Sequence, residues 1–298
     1  MKKIDKNKIK TWFVTGASSG VGHELCICLI KRGYNVVAVS RHITDIKHEN
    51  CISLSCDVTD INEINSAINM GMNKFGKIDV LINSAGISSY ETAEEESYEE
   101  MRNVMETNFW GSYNTCRLFL PIFRNNKFGT IVNITSVHGL VPRRFGAAYV
   151  SSKYALEGLT GVLRFETERF CRVMALEISY FKTNIGKGKP RNTTKFDEYK
   201  NMPYYPFEPK NNDNNDLSKA MNFLIDTIEK EKIPRHLMLG HSIIERVLAE
   251  INSIKKDCLN SKKMAYDCFI NISYIEKIIN KQNTIFNKLK LLFFLLNS

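Results

Sequence analysis

Tyr149 and Lys153 stand four apart in Tyr149-Val-Ser-Ser-Lys153, and Ser136 lies thirteen positions upstream of the tyrosine. On a helix, residues four apart share one face, a turn apart. An ammonium held there stabilises a phenolate and pulls the tyrosine pKa down from its reference of about 10. A tyrosine tuned in this way is a general acid/base that exchanges a proton with an alcohol or ketone. Near the start of the chain, Thr15-Gly-Ala-Ser-Ser-Gly-Val-Gly22 separates an apolar strand from a helix. Gly16, Gly20 and Gly22 let backbone come close to phosphates, and the turn with Ser18, Ser19 and Val21 aims N–H groups at an anion. A dinucleotide pyrophosphate rests on such a turn. Turn and tyrosine together point to hydride transfer at a carbonyl or carbinol carbon.

These groups need elements to place them. Residues 12–14 are read as a short buried strand, and 20–32 as a helix stopped by Gly33. The β-branched run 35–40 is a second strand and 52–54 a third. Thr59 or Asp60 caps a helix that runs through Phe75. Strands follow at 78–82, 130–134 and 172–178, separated by helical regions at 97–124 and from 149 to about 170. Beyond these, 217–230 and 241–259 are read as helices around a last strand at 237–240. Strands alternating with helices make an α/β fold, a doubly wound parallel sheet of about seven strands. Residues 184–215 are polar and poorly periodic, as a lid or loop would be.

The chain has 298 residues, enough for one large domain, and a formal net charge of +9. No basic patch interleaved with aromatics stands out, so no nucleic-acid partner is expected. The eight cysteines form no CxxC framework and read as reduced thiols, mostly in the core. No metal site is expected. Residues 1–10 are a basic lead without an apolar signal region. No apolar stretch reaches the ~20 residues that span a bilayer, which makes the cytoplasm the expected location. The closing stretch 271–298 ends in the apolar run 291–296. A helix packed on the body or a partner is favoured there over membrane contact.

The joint spacing resembles the short-chain dehydrogenase/reductase family over residues 11–270. The family's TGxxxGxG turn stands at Thr15 to Gly22 and its NNAG segment as Asn83-Ser84-Ala85-Gly86. Its active-site serine matches Ser136, its YxxxK matches Tyr149 and Lys153, and its helical asparagine matches Asn108. The resemblance implies a single Rossmann-type domain and four catalytic residues. Tyr149 moves the proton. Lys153 lowers its pKa and binds the nicotinamide ribose. Ser136 holds the substrate oxygen. Asn108 holds a water that links Lys153 to solvent. The implied cofactor residues are Gly16, Ser18, Ser19, Gly20, Val21, Gly22, Asn83, Ala85, Gly86 and Thr183, with Asp57 and Val58 at the adenine.

Where NAD-using members carry an acidic residue after the second strand, this chain has Ser40, then Arg41. An arginine pairs with a 2′-phosphate, so NADP(H) is favoured over NAD(H). The family's Pro-Gly after the sixth strand is replaced by Ile178-Ser179, which questions the lid path but not the fold. His138, Phe145 and Tyr180 are expected to line the substrate pocket, with Leu140, Val141 and Phe181 near them. Residues 152–159 and 180–183 resemble the branch of retinol and 17β-hydroxysteroid dehydrogenases and of many uncharacterised bacterial oxidoreductases. That branch implies a small apolar carbonyl or alcohol as substrate. Self-association is implied by the same resemblance. The competing reading is a non-catalytic dinucleotide-binding or sensor protein, which has no need of a tuned phenol.

Overall fold

The computed structural model describes residues 10–183, 185, 194–200, 202, 215–268 and 281. Seven parallel strands form one sheet in the order β3-β2-β1-β4-β5-β6-β7. They are β1 Thr11–Thr15, β2 Asn35–Ser40, β3 Cys51–Ser55, β4 Val80–Asn83, β5 Thr130–Ile134, β6 Arg172–Ile178 and β7 His236–Leu239. The helices are α1 Gly20–Lys31, α2 Ile61–Phe75, α3 Tyr98–Met105, α4 Gly111–Asn126, α5 Ala147–Glu166, α6 Leu217–Ile228 and α7 Ile243–Asp267. The doubly wound parallel sheet read from the sequence is the fold observed. The strand order reverses between β1 and β4, and the crevice at such a reversal is where ligands of open α/β sheets bind.

Central strands are covered on both faces, so their side chains alternate between two cores. Trp12, Val14, Val36 and Met174 pack with α1 and α6 through Leu25, Leu29, Leu224 and Ile225. Phe13, Val37, Leu81 and Ile131 face the other way, onto Ile64, Phe119, Phe123 and Leu163. Burying each such side chain contributes about 1.5–3 kcal/mol. Six of the eight cysteines are buried free thiols, and Cys258 and Cys268 are exposed. The core also holds a polar seam. Asn83 donates to Asn133 Oδ1 at 2.9 Å, and Thr115 donates to Asn83 Oδ1 at 2.6 Å. Asn133 in turn donates to Thr160 Oγ1 at 2.8 Å.

Local chemistry sets the element ends. Asp60 caps α2, its Oδ1 accepting from Asn62 N at 2.7 Å and Glu63 N at 3.2 Å. Gly76, at φ 77°, ends the same helix. The helical region expected over 97–124 is resolved into α3 and α4 joined by a π turn, Glu106–Trp110. Such turns widen a helix locally and recur at functional sites.

One unit runs to Val247 and a second begins at Leu248, inside α7. Ile243 and Val247 are the buried residues of α7, and beyond them its apolar side chains, such as Ile251 and Leu259, are exposed. No helix of the described residues is long and apolar enough to cross a membrane. The lead 1–9, most of 184–214 and nearly all of 269–298 lie outside the described residues, and with them most of the expected lid and the 291–296 run.

Asp60→Ala removes both capping bonds and is expected to cost about 1 kcal/mol. Urea unfolding should show the midpoint falling with the slope unchanged, and an unmoved midpoint contradicts the cap.

Candidate active site

The carboxyl ends of β1 and β4 are tied together by one hydroxyl. Thr15 Oγ1 accepts from Ser84 N at 2.9 Å and Ala85 N at 3.0 Å, and donates to Ile82 O at 3.4 Å. This brings the glycine turn against the 83–86 segment. A Cβ on Gly16 would stand 2.8 Å from Ala85 backbone, and Gly16 also has a φ of 65°. A Cβ on Gly22 would stand 2.5 Å from Gly16 O. Both positions admit only glycine without a backbone shift. Ser19, at the start of α1, makes no side-chain capping bond, so the first-turn N–H groups are left for another acceptor.

A cleft of about 410 Å³ opens over this turn. Gly16, Ser18, Ser19, Gly20 and Val21 line its floor; Ser40, Arg41, Asp57 and Val58 line one end. Ala85, Gly86, Thr183, Tyr149 and Lys153 complete it. Glycines that leave room for a ligand, donor N–H groups and an exposed guanidinium at Arg41 make a cradle that fits a phosphorylated dinucleotide. Asp57 also has a local task, its Oδ1 accepting from Thr59 N and Thr59 Oγ1 at 2.9 and 2.8 Å. Ile87, Ser88 and Thr135 line the cleft too, and the sequence reading does not single them out.

Also lining the cleft, Lys153 is buried and donates to Ile134 O at 2.9 Å. Burial pulls its pKa down to about 8 against the opposing charge of Glu157. Tyr149 is buried beside it, with the lysine nitrogen 5.8 Å from the ring centroid. The expected lowering of the tyrosine pKa by Lys153 is not the net outcome. Burial raises the phenol above its ordinary value; the Ser136 hydroxyl bonded to it and the Arg143 charge pull it back, and Tyr90 adds to the rise. A phenol kept protonated at neutral pH is the form that donates a proton. Ser136 Oγ accepts from His138 N at 3.1 Å, which leaves its O–H to donate.

Asn108 sits in the π turn, fully buried. Its Oδ1 accepts from Ile87 N at 2.8 Å and its Nδ2 donates to Ile87 O and Ser152 Oγ, both at 2.9 Å. The amide clamps the loop after β4 to α5, beneath Gly86. A Cβ on Gly86 would come within 3.2 Å of Asn108 Oδ1 and 3.7 Å of Lys153 Nζ. The Asn108 backbone oxygen accepts from Ser112 Oγ at 3.0 Å.

Gly22, Asn108 and Ser136 do not themselves line the cleft, and neither do Asn83, His138, Tyr180 and Phe145. Asn83 spends its amide in the buried seam under the sheet, so it supports strands rather than a ligand. His138 is buried with Nδ1 2.9 Å from Val141 O, and burial lowers its pKa to about 3. Tyr180 is 55% exposed and its carbonyl accepts from Asn215 Nδ2 at 2.6 Å. Phe145 lines a separate 180 Å³ pocket with Tyr90, Thr92 and Glu95. Phe145 also has φ 54°, a strained value for a bulky residue.

Arg143 is a further residue that the sequence reading missed. Its Cζ lies 4.8 Å from the Tyr90 ring and 5.4 Å from the Tyr149 ring. It donates to Phe145 O at 3.0 Å and Ser89 O at 3.2 Å, pinning the strained loop over the tyrosine. No spacing rule connects residues 90, 143 and 149, so only the tertiary fold reveals the cluster. The substitution of Ile178-Ser179 is accommodated by β7. Ser179 N donates to Leu239 O at 3.0 Å, and a Cβ on Gly240 would stand 2.8 Å from Ser179 Cβ.

Comparison with known proteins agrees with this fold. The family profile of short chain dehydrogenases matches residues 10–194. An uncharacterized oxidoreductase of Schizosaccharomyces pombe is 28% identical over 264 residues, covering 85% of this chain and 89% of its own. A probable short-chain type dehydrogenase/reductase of Helicobacter pylori is 34% identical over 195 residues, covering 64% of this chain and 70% of its own. The crystal structure of a short-chain dehydrogenase from Streptomyces avermitilis superposes with a TM-score of 0.77 at 27% identity. That match covers 88% of this chain and all of the other.

The folded-state pKa of His138 lies below its unfolded value, so the folded chain binds fewer protons between about pH 3 and 6.5. The stability linked to it is full above 6.5 and is lost as pH falls toward 3. Its ring signals in NMR should therefore not titrate between roughly pH 5 and 8, and a midpoint near 6.5 contradicts the buried placement.

Proposed function

The chain belongs to the short-chain dehydrogenase/reductase family, and from that membership we propose that it is an NADP(H)-dependent oxidoreductase interconverting a carbonyl and an alcohol. The observation that carries the proposal is the buried pair Tyr149 and Lys153 lining the glycine-rich cleft, with the buried Ser136 hydroxyl bonded to the Tyr149 phenol. The nicotinamide cofactor, when bound, supplies or accepts the hydride. The chain's own part is placement and proton handling.

Gly16, Ser18, Ser19, Gly20 and Val21 hold the pyrophosphate at the α1 N-terminus, with Gly22 keeping helix and turn in contact. Arg41, beside Ser40, takes the 2′-phosphate. Asp57 and Val58 flank the adenine, Ala85 and Gly86 give the ribose room, and Thr183 holds the carboxamide. In reduction, Tyr149 Oη gives its proton to the substrate oxygen while Ser136 Oγ–H steadies the developing alkoxide. Lys153 holds its ammonium near the phenol and the ribose. Asn108 keeps the Ile87 loop and α5 in register for this.

The substrate is a small apolar carbonyl or alcohol. Ile87 and Ile134 at the cleft wall support an apolar partner. Self-association through α4 and α5 belongs to the same reading, supported by exposed Val162 and Phe165 on α5 and Trp110 just before α4. The buried free thiols support a reducing compartment, the cytoplasm.

Tyr149→Phe should lower turnover by about 10²–10⁴-fold, the loss typical of removing a general acid/base. Steady-state NADPH oxidation against a carbonyl panel measures it. Dinucleotide binding without turnover in the unaltered protein would transfer the chain to the non-catalytic, sensor reading. Arg41→Asp should turn the preference toward NADH by weakening NADPH alone, read as the ratio of kcat/KM values; an unchanged ratio removes Arg41 from the cofactor site.

A further inference from the structure

One turn beyond Lys153 on α5 lies Glu157, and across from it are Glu177 on β6 and His236 at the start of β7. One donor atom from each lies within 4.8 Å of the others. Glu177 is 0% exposed, and His236 Nδ1 is in hydrogen-bond contact with its Oε1. The same nitrogen is 3.8 Å from Glu157 Oε2. Glu157 Oε1 and Glu177 Oε2 are buried and receive no hydrogen bond from a protein group. Two ionised carboxylates cannot share such a site at neutral pH. Either a proton or a cation must lie between them.

The surrounding charges choose the proton. Lys153 and Arg235 already face Glu157, and Arg235 and Arg164 face His236. A further metal cation would meet that positive field. Burial and the Glu157 charge push the Glu177 carboxyl up to about 9. Glu157 is raised less decisively, since Thr135, Glu177, Lys153 and Arg235 all favour its ionised form. Burial and the two arginines lower the pKa of His236, so its contact with Glu177 is a hydrogen bond between neutral groups, in which Nδ1–H is the donor when the Glu177 proton faces Glu157.

We propose that Glu177 and Glu157 share one proton, with His236 fixing the acid, and that the remaining single negative charge is presented to Lys153. Glu157 is then a positioning residue that holds the buried lysine as an ammonium beside Tyr149. This rests on Lys153 acting in the site as read above. The readouts below do not depend on turnover, so the two readings fail separately.

Infrared spectra of the full chain should show a protonated-carboxyl band at neutral pH that shifts in D₂O and fades as pH rises through about 9. Glu177→Gln should abolish the band and leave Lys153 titrating as before, because Glu157 keeps its charge. Glu157→Gln should move the Lys153 titration to lower pH in NMR of lysine-labelled protein. A wild-type spectrum without the band overturns the shared proton. An unmoved Lys153 in Glu157→Gln overturns the positioning role. Stoichiometric zinc binding to the wild type, lost in Glu177→Gln, overturns it in favour of a cation. The wild-type pH titration decides the first point even where a variant fails to fold.

Discussion

A lysine ammonium taken out of water is the constraint on which this site is built. Lys153 is buried with its nitrogen bonded to a backbone oxygen at the end of β5. Burying an unpaired charge costs several kcal/mol, so the surrounding structure has to supply acceptors and countercharge. That demand explains why α5 is pressed against the end of β5. It also explains why a carboxylate follows one turn later at Glu157 and why Gly86, with no side chain, passes beside the nitrogen. Tyr149 inherits the same buried face and with it a phenol that stays protonated.

The sheet serves that arrangement. Thr15 ties the ends of β1 and β4, and Asn108 ties the loop after β4 to α5. The glycine turn and the tyrosine are distant in sequence but end on opposite sides of one cleft. The π turn around Asn108 is the local distortion that lets its amide reach both neighbours. Family membership accounts for this frame; Ile178, at the end of β6, lines the cleft, and the Arg143 guanidinium lies over the Tyr149 ring.

What was legible in the sequence was what depends on local spacing. The runs of β2, β5 and β6 carry β-branched and apolar residues with clear ends, and their limits match the structure. The glycine turn and the Tyr149–Lys153 pair are likewise short-range patterns. Tertiary features were not legible. Asn83 reads as a ligand contact because a motif names it, yet the fold spends its amide on Asn133 and Thr115. The spacing of Tyr149 and Lys153 shows that they are neighbours but not how deeply they are buried, and burial decides the direction of the phenol pKa. Glu157, Glu177 and His236 come from three elements and meet only when β6 and β7 pair.

The most direct test of the central claim follows the hydrogen itself. The protein is incubated with NADPH carrying deuterium at the nicotinamide C4 and a panel of small apolar ketones and aldehydes, and the products are read by mass spectrometry. The account predicts an alcohol with one deuterium on the carbinol carbon, delivered from one face of the nicotinamide only. Alcohol formed without deuterium from either face, or no alcohol from any carbonyl while NADPH binds in the cleft, would contradict it.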